Sequence, residues 1–270
     1  MGRRAAREPV QPVTAPMLEV SGLTVRFGGL TALDGLQLHA AAGELLGLIG
    51  PNGSGKTTFF NALTGFVPVS GGQVRFDGKD ITGAAPRRVA ACGIARTFQR
   101  LRLLSELSVF DNLMLGLHLD LPHGPWVNLF ARRRLAAAVR ERAAEARELL
   151  AVFSPALAGR LAEPLRALPM IDRRRVEICR ALVRSPRLLL LDEPSAGMTP
   201  DETAALMDDL HAVKARRPGT AVILIEHDMA VIERVSDRCL VLDYGRRLCE
   251  GSFAEVSRDP EVRRAYLGEA

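Results

Sequence analysis

At 270 residues the chain is long enough to bury a sizeable core, as one large domain or two small ones. Its 47% hydrophobic and 25% charged residues are ordinary for a globular protein, and no run of about 18 apolar residues occurs, so the chain is not expected to cross a bilayer unaided. A net charge of +5 with only 5% aromatic residues argues against a dedicated nucleic-acid surface.

Residues 1–16 read MGRRAAREPVQPVTAP, carry Arg3, Arg4 and Arg7, and lack the apolar stretch of a secretory signal; they are expected to form a disordered basic tail. Residues 18–27 alternate like a strand, and 37–39 and 44–49 bracket an Ala-Ala-Gly break with two more strand-like pieces. A glycine-rich loop follows, then a helix over 59–63, a turn-rich stretch over 65–72 and an extended segment over 73–76. From about Leu101 to Arg184 strand patterns vanish and Ala, Leu, Arg and Glu dominate, which predicts a helical insert with helices over 131–153 and 173–183. Beyond it the chain alternates again: an apolar run at 188–191, a helix over 200–214, a strand at 221–225, a helix over 229–235 and a strand at 239–242. Such alternation implies a largely parallel sheet covered by helices.

Gly50, Pro51, Asn52, Gly53, Ser54, Gly55, Lys56, Thr57 and Thr58 fit G-x-x-x-x-G-K followed by Ser or Thr, between an apolar strand and a helix. Glycines let backbone N–H groups turn inward around phosphate oxygens, and the helix adds the positive end of its dipole. Lys56 is then expected to reach the β- and γ-phosphates of ATP, and the Thr57 hydroxyl to ligate Mg²⁺. The chain has lysine only at positions 56, 79 and 214, so one inside this motif is not a product of composition.

Four leucines at 188–191 run into Asp192, Glu193 and Pro194. Open α/β sheets place function at the carboxyl ends of strands, so Asp192 is expected to hold Mg²⁺, directly or through water, and Glu193 to polarise the attacking water. The alternative is a solvated acidic turn after a core strand; the upstream phosphate loop decides against it. His227 follows the apolar strand at 221–225 and reaches the same sheet edge, where a γ-phosphate contact is expected. Gln99, in Arg96-Thr97-Phe98-Gln99, is by itself either a polar loop residue or a site residue. The remaining histidines show no metal-ligand spacing. Four scattered cysteines read as reduced thiols.

From residue 17 to 268 this ordered set resembles the ABC transporter ATPase family. The resemblance implies a P-loop NTPase core of ABC ATPase type, with an antiparallel β element and an inserted helical lobe, binding ATP and Mg²⁺. It also implies that Phe27 stacks on adenine, that Gln99 couples Mg²⁺ to a transmembrane partner, that Glu193 is the base and His227 the switch histidine, and that SAGMT at 195–199 crosses to a second subunit. RFGGLTAL at 26–33, ALTGF at 62–66, RTFQ at 96–99, IEHDM at 225–229 and AYLGE at 265–269 look like the branched-chain amino-acid uptake group, and the stretch 119–146 is similar to the longer of that group's two ATPase types. A lipopolysaccharide-exporter ATPase shares a similar ending. One departure stands out. Where the family carries LSGGQ, this chain reads Leu168, Pro169, Met170, Ile171 and Asp172.

That signature works through small residues whose N–H groups and serine hydroxyl approach the γ-phosphate on the opposite subunit. Met170 and Ile171 bring bulk, Pro169 lacks both hydroxyl and N–H, and Asp172 sets an anion near an anion. A tolerated variant of a helix start, where Pro fits well, is the alternative. The degenerate reading favours a heterodimer with a second ABC ATPase subunit, docked on transmembrane permease subunits at the cytoplasmic face of a membrane and served indirectly by a solute-binding protein. A regulatory subunit with little hydrolysis, and a soluble ABC ATPase acting on nucleic acid or ribosomes, are the rivals; the second usually carries tandem cassettes. Arg132, Arg133, Arg134, Arg140 and Arg142 form either a solvated helix face or a contact to anionic lipid.

Overall fold

The computed structural model describes residues 16–117 and 132–267. The expectations for residues 1–15, and for the part of the stretch 119–146 before 132, lie outside them.

Strands β1 (Leu18–Phe27), β2 (Leu30–Ala40), β4 (Gly71–Phe76) and β5 (Lys79–Asp80) form an antiparallel sheet in the order β2-β1-β4-β5. A second sheet comprises β3 (Leu45–Ile49), β6 (Ile94–Arg96), β7 (Leu188–Asp192), β8 (Ala221–Ile225), β9 (Arg238–Asp243) and β10 (Arg246–Gly251), in the order β10-β9-β3-β8-β7-β6. All its pairings are parallel except that of β10 with β9.

Each of β3, β7 and β8 is buried along its whole length, as strands covered on both faces must be. Successive side chains of these strands therefore enter different cores. Leu189, Leu191, Val222, Leu224, Cys239 and Val241 join the helices on one face, while Leu188, Leu190, Ile223, Ile225, Leu240 and Leu242 join the antiparallel sheet on the other. The parallel sheet is thus the partition between two hydrophobic cores.

Helix α1 (Lys56–Leu63) follows the phosphate loop and α2 (Pro86–Ala91) precedes β6. The early region therefore holds two helices where the pattern predicted one, because α2 is a single short turn-and-a-half opened by Pro86 at its first position. The helical lobe begins later than Leu101: α3 (Val109–Gly116) starts at a capping box in which Ser108 accepts from the Asp111 N–H. It continues through α4 (Arg132–Phe153), α5 (Pro155–Ala158) and α6 (Met170–Leu182). Helix α6 starts three residues before the predicted boundary at 173. The chain ends with α7 (Pro200–Arg216), α8 (Met229–Val235), α9 (Phe253–Val256) and α10 (Pro260–Leu267).

Register brings the functional strand ends together. Leu48 pairs with Ile225, and Ile225 with Asp192, so the loops after β3, β7 and β8 leave from one edge.

Candidate functional site

The phosphate loop leaves β3 at Gly50, whose φ is 151°. A Cβ there would stand 2.2 Å from the Leu242 carbonyl and 2.6 Å from Ser54 Oγ, so no other residue fits without moving backbone. Gly55, with φ 108°, caps α1 without any side-chain hydrogen bond, which leaves the helix's first N–H groups directed toward an incoming anion. Lys56 is only 5% exposed. Its Nζ donates to Gly50 O at 2.6 Å and Pro51 O at 2.9 Å, holding the ammonium inside the loop it belongs to. Burial lowers its pKa, and the Glu193 and Asp192 carboxylates oppose that shift.

A small cleft of 140 Å³ is lined by the loop from Asn52 to Thr58 together with Glu193 and His227. Glu193 follows β7 in a left-handed conformation, φ 48°, stabilised where its N–H donates to Ile225 O at 2.9 Å. Its two carboxylate oxygens are bracketed: Oε1 meets His227 Nε2 at 2.5 Å and Oε2 accepts from Gln99 Nε2 at 2.7 Å. The structure thus places Glu193, His227 and Gln99 in one hydrogen-bonded group facing the phosphate loop. Phe27 does not line that cleft; it stands 46% exposed at the end of β1.

Asp192, the last residue of β7, is buried and does not line the cleft; Glu193, the residue after it, does. Asp192 Oδ2 accepts from Arg96 Nη2 at 2.8 Å, with both side chains nearly inaccessible. Burial pushes its carboxyl up and the Arg96 guanidinium holds it down. A hard cation such as Mg²⁺ is bound through one or two protein oxygens plus substrate phosphates. The exposed Thr57 hydroxyl on the first turn of α1 and the Asp192 carboxylate are donors of that kind. The Gln99 amide nitrogen donates to Glu193, and its oxygen is a further donor of the same kind.

Sequence reasoning assigned nothing to Arg96, nor to a buried pair on α6. Arg174 Nη1 donates to Glu177 Oε2 at 2.7 Å with both side chains 2% exposed. Arg174 also donates to the carbonyls of Phe98 and Gln99, at 3.2 and 3.4 Å, and Glu177 accepts from the Arg102 N–H. Helix α6 therefore holds the Gln99 segment by its backbone. An Arg and a Glu three apart on a helix, with a signature segment before them, are the only sequence trace of this. Another residue without an assigned role is Glu226, 4% exposed, whose Oε1 accepts from the Ser195 N–H at 2.9 Å and ties the loop at 195–199 to the strand end bearing His227.

The segment Leu168–Asp172 forms the start of α6. Pro169 is the N-cap, φ −60° and ψ 164°, and offers no side-chain hydrogen bond. Met170 stands 39% exposed. Asp172 is not a lone anion: Arg175 Nη1 donates to it at 3.1 Å and Arg160 Nη1 lies 3.9 Å away. Asp172 therefore does not bring the unopposed negative charge that its place in the sequence suggests, since these guanidinium groups offset it. The bulk at Met170 and the missing N–H at Pro169 remain.

The family model described as ABC transporter matches residues 33–196, and one described as branched-chain amino acid ATP-binding cassette transporter matches residues 246–270. The high-affinity branched-chain amino acid transport ATP-binding protein BraF of Pseudomonas aeruginosa is 41% identical over 266 residues, covering 96% of this chain and all of that protein. The corresponding LivG of Escherichia coli is 40% identical over 261 residues, with the same coverage. The crystal structure of the ADP conformation of MJ1267, an ATP-binding cassette of an ABC transporter, superimposes with a TM-score of 0.80 at 31% identity, over 95% of this chain and all of that one.

Proposed function

Taking as premise that the chain belongs to the ABC transporter ATP-binding family, we propose that it is the ATP-hydrolysing subunit of a complex importing branched-chain or related amino acids. The observation that carries the chemistry is the convergence of Lys56, Glu193 and His227 around one cleft at the phosphate loop. The relatives' printed function and the match over residues 246–270 support the solute class.

In this reading the N–H groups of the loop and of α1 grip the triphosphate, Lys56 neutralises its β- and γ-oxygens, and Thr57 and Asp192 hold the magnesium ion. When bound, Mg²⁺ supplies charge neutralisation at the phosphates. Glu193 orients the attacking water and takes its proton, with Gln99 and His227 fixing the carboxylate's direction. Phe27 provides an aromatic face for the base. Positioning and electrostatics do most of the work in such phosphoryl transfer.

The start of α6 supports pairing with a second, different ATPase subunit. Pro169 gives no N–H and Met170 fills space where small residues would admit a γ-phosphate. One composite site then joins this chain's loop to the partner's signature and hydrolyses; the other holds nucleotide. The same feature favours a second reading, a nucleotide-binding regulatory subunit with little hydrolysis of its own. A groove of 430 Å³, lined by Phe66, Arg96, Phe98 and Leu115 among others, offers the permease a docking place whose wall includes Arg96, the partner of Asp192.

Turnover of the purified chain, alone and assembled with its partner ATPase and permease, tests this. We expect slow hydrolysis alone and brisk hydrolysis in the complex, with amino-acid uptake in reconstituted vesicles. Vigorous hydrolysis by the isolated chain refutes the impaired signature. Slow turnover in both favours the regulatory reading.

A further inference from the structure

Arg96 ends β6 with its side chain 6% exposed, and its guanidinium is fixed from three directions. Nη2 donates to Asp192 Oδ2 at 2.8 Å. Nη1 donates to Asn61 Oδ1 at 2.8 Å and Thr64 Oγ1 at 3.1 Å, at the end of α1. Its central carbon lies 4.8 Å from the Phe98 ring centroid and 5.3 Å from that of Phe60. The Nε–H is buried with no hydrogen-bond partner among the described residues. A planar fork so anchored does not rotate away from the carboxylate it holds.

The consequence falls on Asp192. Its Oδ2 is occupied by a charge-assisted bond, while Oδ1 accepts no hydrogen bond among the described residues. We propose that Arg96 makes Asp192 a one-oxygen ligand and thereby sets the site's preference for Mg²⁺ over Ca²⁺. This rests on the reading of Asp192 as the metal carboxylate. Mg²⁺ demands compact octahedral geometry and is satisfied by single oxygens of one or two carboxylates plus phosphates and water. Ca²⁺ takes more ligands at longer distance and commonly draws both oxygens of a carboxylate. With Oδ2 already accepting from Arg96, bidentate contact of Asp192 with the larger ion has to compete with that charge-assisted bond. Arg96 is thus a positioning residue that acts through Asp192.

Arg96 also carries a positive charge, which repels both cations. Because the two ions bear equal charge, that effect cancels in the ratio of their affinities, and the ratio isolates coordination geometry. The full-length chain is titrated with MgCl₂ or CaCl₂ in the presence of a fluorescent, non-hydrolysable ATP analogue, and the half-saturating concentrations are compared. Arg96→Gln is expected to move the ratio toward Ca²⁺ by about tenfold, the lower end of what removing an outer-shell partner does to metal affinity. Arg96→Lys, which keeps a cation on Oδ2, stays within about twofold of the unaltered chain. Asn61→Ala loosens the guanidinium from its far side without touching Asp192; it shifts the ratio in the same direction and answers the question even if Arg96→Gln does not fold.

An unmoved ratio in Arg96→Gln and in Asn61→Ala overturns the inference. Asp192→Asn separates the levels. If it weakens the response to both cations while the Arg96 variants leave the ratio unchanged, the inference alone fails. If Asp192→Asn responds like the unaltered chain, the metal-ligand reading fails and the inference with it.

Discussion

Glu177→Gln isolates the buried pair that fastens helix α6 to the Gln99 segment. Arg174 and Glu177 are each 2% exposed, and their 2.7 Å contact is charge-assisted. Burial pushes the Glu177 carboxyl up, and the Arg174 guanidinium opposes that shift. A glutamine keeps the shape but has one acceptor oxygen where Glu177 uses two, so the variant removes the charge and also one of the bonds to Arg174 and the Arg102 N–H. Stranding one member of a buried pair costs about 3–5 kcal/mol, a large part of a domain's usual stability of about 5–15 kcal/mol. At about 2–4 °C per kcal/mol for a domain near this size, the melting temperature falls by roughly 6–20 °C. Thermal and urea unfolding of the nucleotide-free chain measure this directly, since bound nucleotide would mask part of the loss. The double variant Arg174→Met with Glu177→Leu fills the same space without charge and recovers most of the stability. It does not restore the bonds to the Phe98 and Gln99 carbonyls, so its ATP turnover stays below that of the unaltered chain. A loss under about 1 kcal/mol in Glu177→Gln, the level of an exposed pair, refutes the reasoning.

Lys56→Ala removes two charge-assisted phosphate contacts worth about 1.5–3 kcal/mol each, so ATP affinity drops at least about a hundredfold in a fluorescence titration. Glu193→Gln retains nucleotide binding and loses turnover in the complex with the partner ATPase, and a closed dimer with that partner, trapped by ATP, is expected by size-exclusion chromatography; unchanged turnover removes Glu193 from the role of base. Glu226 has a folded pKa raised, chiefly by burial. The folded state therefore holds its proton longer than the unfolded one, and stability falls as pH rises from the ordinary glutamate range near about 4.3 through the raised value. Glu226→Gln, which still accepts from the Ser195 N–H, is expected to melt higher than the unaltered chain at pH about 8 and to lose that advantage at pH about 4. A constant difference across that range contradicts the assignment.

Much of the fold was legible because strands buried on both faces announce themselves as apolar runs. The runs at 188–191 and 221–225 needed no tertiary knowledge, and β8 matches its prediction to the residue. Strand β6 escaped notice at three residues, too short to show a period and fixed only by pairing with β7. Helix α6 begins at Met170 because Pro169, with extended ψ, caps it from outside; an apolar Met-Ile pair after Pro carries no helical period by itself. The phosphate loop, the Asp192-Glu193 pair and His227 stood out in the sequence because they sit at the ends of three apolar strands, β3, β7 and β8. Arg96 was not, because it meets Asp192 across 96 positions of sequence and only the β6–β7 register brings them together. The same holds for Arg174 and the carbonyls of Phe98 and Gln99, 76 and 75 positions away.

The bonds from Arg174 to those two carbonyls gear one end of α6 to the other side of the catalytic cleft. The N-terminus of that helix presents Pro169 and Met170 to the exterior, while its middle grips the backbone beside the side chain that brackets Glu193. A tilt of the helix lobe that changes the fit at the outward end must also pull on Gln99 at this chain's own base. In the dimer proposed above, that linkage would carry a change at one nucleotide to the residues beside the other.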